Sequence, residues 1–114
     1  MMNELIKKVE AWGEEKGIVD PSNADKQFMK FMEEVFEFKT MLDWEMDAIV
    51  EYGDFNRLYD TKMEFGDVLV TLIILARQIN LDWEECLSMA YEKIKDRKGK
   101  TIDGIFVKEE DLAK

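Results

Sequence analysis

Two pairs of acidic residues border apolar stretches of this sequence, and each pair has a three-residue step. Glu34 and Glu37 lie in "MKFMEEVFEF", and Glu64 and Asp67 open the apolar segment "MEFGDVLV". Residues at i and i+3 of a helix project to the same side. Each pair therefore presents two carboxylates in one direction, and such a pair can bind a divalent cation.

The two acidic pairs are predicted to meet at one level of a helical hairpin. The midpoint between them falls near residue 51, where a loop would fold the second and third predicted helices into an antiparallel pair. Four carboxylates at one level would repel strongly unless a cation lay among them. The chain has no histidine, so a metal would be held by oxygen ligands, which favours Mg²⁺ with Mn²⁺ as a substitute.

Each acidic pair also has an ordinary structural interpretation. Thr61 and Glu64 match a capping box, in which Glu64 would only satisfy backbone groups at the start of a helix. Glu34 could form a surface pair with Lys30 one turn earlier. Acidic residues three apart are common in any acidic helical protein, so the metal site and these interpretations both remain open at this point.

The spacing of apolar residues predicts an all-α fold, a four-helix bundle-like subunit with a short C-terminal hairpin tail. The predicted helices cover about 3–16, 25–52, 60–79 and 82–98. Ser22 and Asp25 resemble a capping box that opens the second helix, and "KTIDGIFV" predicts a hairpin that turns at Asp103 and Gly104. We expect residues 1–114 to form a single domain, a usual size for one core.

The third predicted helix is apolar nearly all round from Val68 onward, which is typical of a helix covered on every side. A chain of 114 residues has little material for this. We therefore expect assembly through residues 68–79 into a homodimer or homotetramer.

Composition narrows the class of protein. A net charge of −10 argues against a nucleic-acid-binding surface, which needs a basic stripe. The single cysteine, Cys86, fits a reducing cytosol, and the first residues have no apolar segment of a secretory signal. The longest apolar run, "VLVTLIILA", is shorter than the roughly 20 residues that span a bilayer. We expect a cytoplasmic protein without a membrane partner.

The segments "EEVFE" and "EFGDVLV" together resemble the motif of the MazG-like family of all-α nucleoside triphosphate pyrophosphohydrolases. The likeness covers residues 10–108, including "WGEEKGI" and "YEKIKDRKGK". It implies Mg²⁺-dependent hydrolysis between the α- and β-phosphates, which gives a nucleoside monophosphate and pyrophosphate. The residues that the resemblance assigns to catalysis and to the metal are Glu34, Glu37, Glu64 and Asp67.

The resemblance also implies a phosphate-binding role for Lys93 and Arg97. Their four-residue spacing would place both on one face of the last helix, although they could equally be a basic helix end that complements the helix dipole. Relatives with a longer motif carry asparagine two positions before the lysine, where this chain has Tyr91. Lys30 is a further candidate for a phosphate. Trp12 is a candidate for stacking on a base, although such a tryptophan is more often part of a core.

Two other functions compete with a house-cleaning hydrolase of canonical or damaged nucleotides. The first is a non-catalytic acidic helical oligomer that acts as an interaction module or DNA mimic, which would need dispersed and exposed carboxylates. The second is an oxygen-ligated di-metal protein outside nucleotide chemistry, which would leave Lys93 and Arg97 unexplained.

Overall fold

The computed structural model describes residues 1–53 and 58–112 and is mostly helical, with a small antiparallel hairpin near the C-terminus. The chain forms two compact units, Met1–Leu81 and Asp82–Lys114. The elements in chain order are α1 (Met2–Glu15), a 3-10 turn (Pro21–Asn23), α2 (Ala24–Tyr52), α3 (Tyr59–Gln78), α4 (Trp83–Ile94), β1 (Gly99–Ile102), β2 (Ile105–Lys108) and α5 (Glu109–Leu112).

In the first unit, α2 and α3 form the predicted hairpin. Gly53 ends α2 in a left-handed conformation with φ 68°, and its N–H bonds the carbonyl of Ile49, as helix C-termini often do. Gln27 near the start of α2 donates from Nε2 to the carbonyl of Thr71 at 3.1 Å. The rings of Phe38 and Phe65 lie with centroids 5.4 Å apart. The N-terminal half of α2 therefore lies beside the middle of α3, which is antiparallel packing.

Helix α1 packs against the C-terminal half of α3. Arg77 on α3 forms an ion pair with Glu14 on α1, with Nη2 and Oε1 2.7 Å apart. Gln78, which is buried, donates from Nε2 to the carbonyl of Ile18 at 2.8 Å. Gly13 is the buried residue of α1, so the two helices approach most closely where α1 lacks a side chain.

Gly13→Ala should lower the free energy of unfolding by about 1–3 kcal/mol, as overpacking of a core usually does. A Cβ at position 13 would clash with Cδ1 of Ile74, which is 1% exposed, and would lie 3.2 Å from Cγ1 of Val19. Gly66→Ala is the matched control, because no atom lies within 4 Å of a Cβ there. This control should gain up to about 1 kcal/mol from helix propensity. Urea denaturation measures both, and equal stability of Gly13→Ala and wild type would refute the close approach.

The second unit contains α4, the hairpin and α5. Asp82 caps α4 by accepting a hydrogen bond from the N–H of Glu85 at 2.9 Å, which agrees with the predicted start of this helix at residue 82. β1 pairs with β2 in an antiparallel register. Asp103 and Gly104 join them with φ values of 51° and 79°, the left-handed pair that a tight hairpin turn requires. The predicted hairpin and its turn are confirmed.

Two predicted helix ends are wrong. The capping box of Ser22 and Asp25 does not form, since Asp20 accepts from the N–H of Ser22 at 2.9 Å and caps a 3-10 turn instead. Helix α4 ends at Ile94 and not near residue 98. Arg97 follows the helix in a turn in which its N–H bonds the carbonyl of Ile94. The helical spacing argument that placed Lys93 and Arg97 on one face therefore does not hold.

Among residues 1–53 and 58–112, no helix combines the length and the apolar character needed to cross a bilayer.

Candidate metal centre

Three of the four predicted carboxylates converge between α2 and α3. Each of Glu34, Glu37 and Glu64 offers one carboxylate oxygen, and these oxygens lie within 4.8 Å of one another. Glu34 and Glu37 are one turn apart on α2, and the antiparallel hairpin brings Glu64 of α3 to their level. The predicted meeting of the two acidic segments is therefore found for these three side chains.

The burial of this cluster is uneven. Glu34 is 8% exposed, Glu64 is half-buried and Glu37 is exposed. Lys30 pairs with Oε1 of Glu34 at 3.3 Å. The Oε2 atoms of Glu34 and Glu64 are buried and accept no hydrogen bond from the residues that the structure describes. Buried carboxylate oxygens without a donor are costly, so this pocket is suited to a positive species that would contact both.

The clustered carboxylates shift the pKa of Glu37. The negative charge of Glu34 raises the pKa of Glu37, and a hydrogen bond between the two carboxyl groups and the charge of Glu64 act in the same direction. A proton on Glu37 thus relieves the repulsion, and a metal ion among the carboxylates would relieve it in the same way.

This raised pKa predicts a pH dependence of the metal-free protein. Folded Glu37 binds its proton more tightly than unfolded Glu37, so the folded chain holds more protons in a window that begins near 4.5 and extends upward. The contribution of Glu37 to stability is therefore present below this window and is lost as pH rises through it. Glu37→Gln should lack that loss. Melting temperatures of both proteins in EDTA, from acid to neutral pH, measure the difference, and identical profiles would contradict the repulsion.

A cavity of about 300 Å³ adjoins the cluster and shares Glu34 with it. Lys30 and Asp67 also line it, and Trp12 contributes a 46% exposed side chain. The other lining residues are Ile18, Gln27, Val70, Thr71 and Ile74. The structure thus places Asp67 beside the cluster and outside the group of three, on the wall of the same cavity.

The remaining two site candidates belong to the second unit. Lys93 lies on α4 and is exposed, whereas Arg97 is half-buried and follows that helix. Arg97 lines a separate cavity of about 300 Å³ together with residues of both charges. Those are Asp96, Lys98, Lys108, Glu109 and Glu110. Their assignment to phosphate groups stays a prediction.

The donor set fits a hard divalent cation. All three converging ligands are carboxylate oxygens, which Mg²⁺ and Mn²⁺ prefer. Adjacent oxygen ligands of one octahedral Mg²⁺ lie about 3 Å apart, so an ion would draw together the three oxygens, which lie within 4.8 Å of one another. Glu34, Glu37 and Glu64 would hold the ion, and Asp67 is a further carboxylate on the wall of the adjoining cavity.

Sequence reasoning missed one polar contact near this site. The backbone N–H and the hydroxyl of Thr61 both donate to Oε1 of Glu45 on α2. The interpretation of Thr61 and Glu64 as a capping box is therefore wrong, because Thr61 lies inside α3 and its hydroxyl is engaged by another helix. The antiparallel pairing of α2 and α3 that aligns the acids also brings Glu45 to Thr61, so this pairing could have indicated the contact.

Comparison with known proteins gives one curated relative, described as an uncharacterized 18.2 kDa protein in the rep-hol intergenic region of Haemophilus phage HP1 (strain HP1c1). It is 31% identical over 81 residues, which are 71% of this chain and 43% of the phage protein. The chain thus spans less than half of that relative's length. No protein-family model matches the chain, and no solved structure matches it significantly.

Proposed function

We propose that this protein is a Mg²⁺-dependent nucleoside triphosphate pyrophosphohydrolase of the MazG-like type, which cleaves (d)NTPs to the monophosphate and pyrophosphate. The observation that supports it is the convergence of Glu34, Glu37 and Glu64 around buried carboxylate oxygens to which none of the described residues donates a hydrogen bond. These residues are three of the four carboxylates that the resemblance assigns to the metal. A house-cleaning role in the cytoplasmic nucleotide pool follows from the same resemblance.

The carboxylates and Lys30 would have different roles at the phosphates of the substrate. A bound Mg²⁺ would neutralise phosphate charge and lower the pKa of the attacking water, so no histidine base is required. Glu34, Glu37 and Glu64 would hold the ion, and Asp67, which lines the adjoining cavity, would be the fourth carboxylate of the set. Lys30 contacts Glu34 at 3.3 Å and lies on the same cavity, where its ammonium group can pair with a phosphate oxygen.

The cavity that adjoins the carboxylates has a lining suited to the rest of a nucleotide. Its wall includes the apolar side chains of Ile18, Val70 and Ile74, and Trp12 offers an aromatic surface. An aromatic ring stacks on any base at similar energy, so this arrangement binds the nucleoside without fixing which base is preferred. Lys93 and Arg97 are proposed as additional phosphate ligands.

Assembly is part of the proposal. Residues 68–79, which are the second half of α3 and its C-cap Ile79, include several half-buried apolar side chains, and Ile79 is 47% exposed. Larger apolar exposure lies elsewhere in the same unit, at Phe36, Trp44 and Val50 of α2. A monomer rarely exposes this much apolar surface, so we propose a homodimer or homotetramer built around a four-helix bundle-like subunit.

The competing acidic interaction module or DNA mimic has less support. Such a protein needs dispersed, exposed carboxylates, whereas these three converge and Glu34 is 8% exposed.

A panel of (d)NTPs with Mg²⁺ tests the proposal through the products. We expect at least one nucleotide to yield its monophosphate and pyrophosphate, and EDTA to stop the reaction. Release of orthophosphate alone would indicate attack at the γ-phosphate and would overturn the assignment. Absence of any hydrolysis across the panel would also overturn it.

A further inference from the structure

Helix α3 begins without a cap of its own. Its N-cap position is Leu58, whose apolar side chain cannot accept a hydrogen bond from the free N–H groups of the first turn. Local caps are normally serine, threonine, aspartate or asparagine. At this helix the acceptor comes instead from α2, where Glu45 lies sixteen residues before Thr61 in the chain.

The Glu45 carboxylate makes a double contact with Thr61. It accepts from the backbone N–H and from the hydroxyl of that residue. Thr61 is 7% exposed and Glu45 is half-buried. Charge-assisted hydrogen bonds of this kind are stronger than neutral ones, and a negative group at a helix N-terminus also interacts favourably with the helix dipole. The contact therefore holds the first turn of α3 against a defined point of α2.

This contact and a second one lie on either side of the three converging carboxylates along the α2–α3 hairpin. Thr61 is three residues before Glu64, and the bond from Gln27 to the Thr71 carbonyl ties α3 to α2 on the other side. Both ties resist sliding and rotation of α3 along α2. A shift of about 1.5 Å, one residue's rise in a helix, would take Glu64 away from the two glutamates of α2.

We propose that Glu45 is a positioning residue for the metal centre, which through Thr61 sets the register that brings Glu64 to Glu34 and Glu37. This inference rests on the proposed function. A side chain that only contributes to stability would change the melting temperature and leave the Mg²⁺ affinity of the folded protein unchanged. A positioning residue changes that affinity at temperatures where the protein is fully folded.

The test compares Mg²⁺ affinities by calorimetry, well below the melting temperature, for wild type, Glu45→Ala, Glu45→Gln and Thr61→Val. Ile49→Val is the matched control, since Ile49 is a buried residue one turn after Glu45 on α2 and makes no polar contact with Thr61. Glu45→Ala and Thr61→Val should weaken Mg²⁺ binding by roughly 10-fold, the usual effect of losing a group that orients a ligand. Glu45→Gln keeps an acceptor and should recover part of the loss. Ile49→Val should bind like wild type.

The outcomes separate this inference from the proposed function. If wild type does not bind Mg²⁺, the metal centre itself is absent and the proposed function fails. If wild type binds and Glu45→Ala and Thr61→Val bind equally well, only the positioning role is overturned. An equal weakening in Ile49→Val would assign the effect to stability and would overturn it too. If Glu45→Ala fails to fold, the Mg²⁺ affinities of Glu45→Gln and Thr61→Val are compared with wild type in its place.

Discussion

Glu37→Gln should lower kcat/KM for a nucleoside triphosphate by about 100-fold or more and leave the metal-free protein at least as stable as wild type. Loss of even a group that orients a ligand costs roughly 10–100-fold, and this variant neutralises a proposed ligand itself. Because Glu34 and Glu64 raise the pKa of Glu37, removing its charge also removes repulsion. Steady-state kinetics and melting curves in EDTA measure the two effects.

Glu33→Gln is the matched control for Glu37→Gln. Glu33 is exposed, is a neighbour in the same motif and contacts Lys30 at 3.5 Å without joining the three converging carboxylates. The Glu33→Gln variant should retain activity close to wild type. Equal losses in both variants would mean that the activity depends on the general charge of α2. A drop in metal-free stability with unchanged kinetics in Glu37→Gln would make that carboxylate structural.

The protein should have a solution mass at least twice that of its 13.5 kDa chain. Trp44 is 76% exposed and Phe36 is 66% exposed on α2, and Phe65 on α3 is 48% exposed. Fully burying one such side chain contributes about 1.5–3 kcal/mol, so association that covers several of them is strongly favoured. Light scattering at micromolar concentration measures the mass, and a monodisperse monomer would contradict the assembly.

Two substitutions locate the interface within that assembly. Leu72→Lys introduces a charge at a half-buried position of α3, and Trp44→Lys does so at an exposed position of α2. If the subunits meet through residues 68–79, Leu72→Lys should lower the mass, and if the interface also covers Trp44, Trp44→Lys should lower it too. A lower mass in Trp44→Lys alone would move the interface to the outer surface of α2.

The hairpin and its acidic level could be predicted from the sequence because they depend on local signals. Helix periodicity places Glu34 and Glu37 on one side, and the breaker at Gly53 ends α2 where the loop was expected. An antiparallel return then brings Glu64 to them without further information. The Asp103–Gly104 turn could also be predicted, because a two-residue hairpin turn needs two left-handed residues and Asp-Gly is a favoured pair at these positions.

Features that depend on distant partners could not be predicted. The predicted helix through "KDRK" stops at Ile94, and the Lys98 carbonyl instead accepts a hydrogen bond from the N–H of Glu109. The capping-box interpretation of Thr61 and Glu64 was wrong for a similar reason, since the acceptor at the start of α3 is Glu45 of α2 and not a neighbour in sequence. Tertiary hydrogen bonds overrode local helix signals at both places.

The most direct test of the central claim is a Mn²⁺ titration of metal-free protein at neutral pH, followed by the EPR signal of the free ion. Wild type should remove Mn²⁺ from solution, Mg²⁺ should release it, and Glu34→Gln should bind far less because it neutralises the buried carboxylate of the cluster. If wild type at millimolar concentration leaves the free Mn²⁺ signal unchanged, the three carboxylates do not form a metal site.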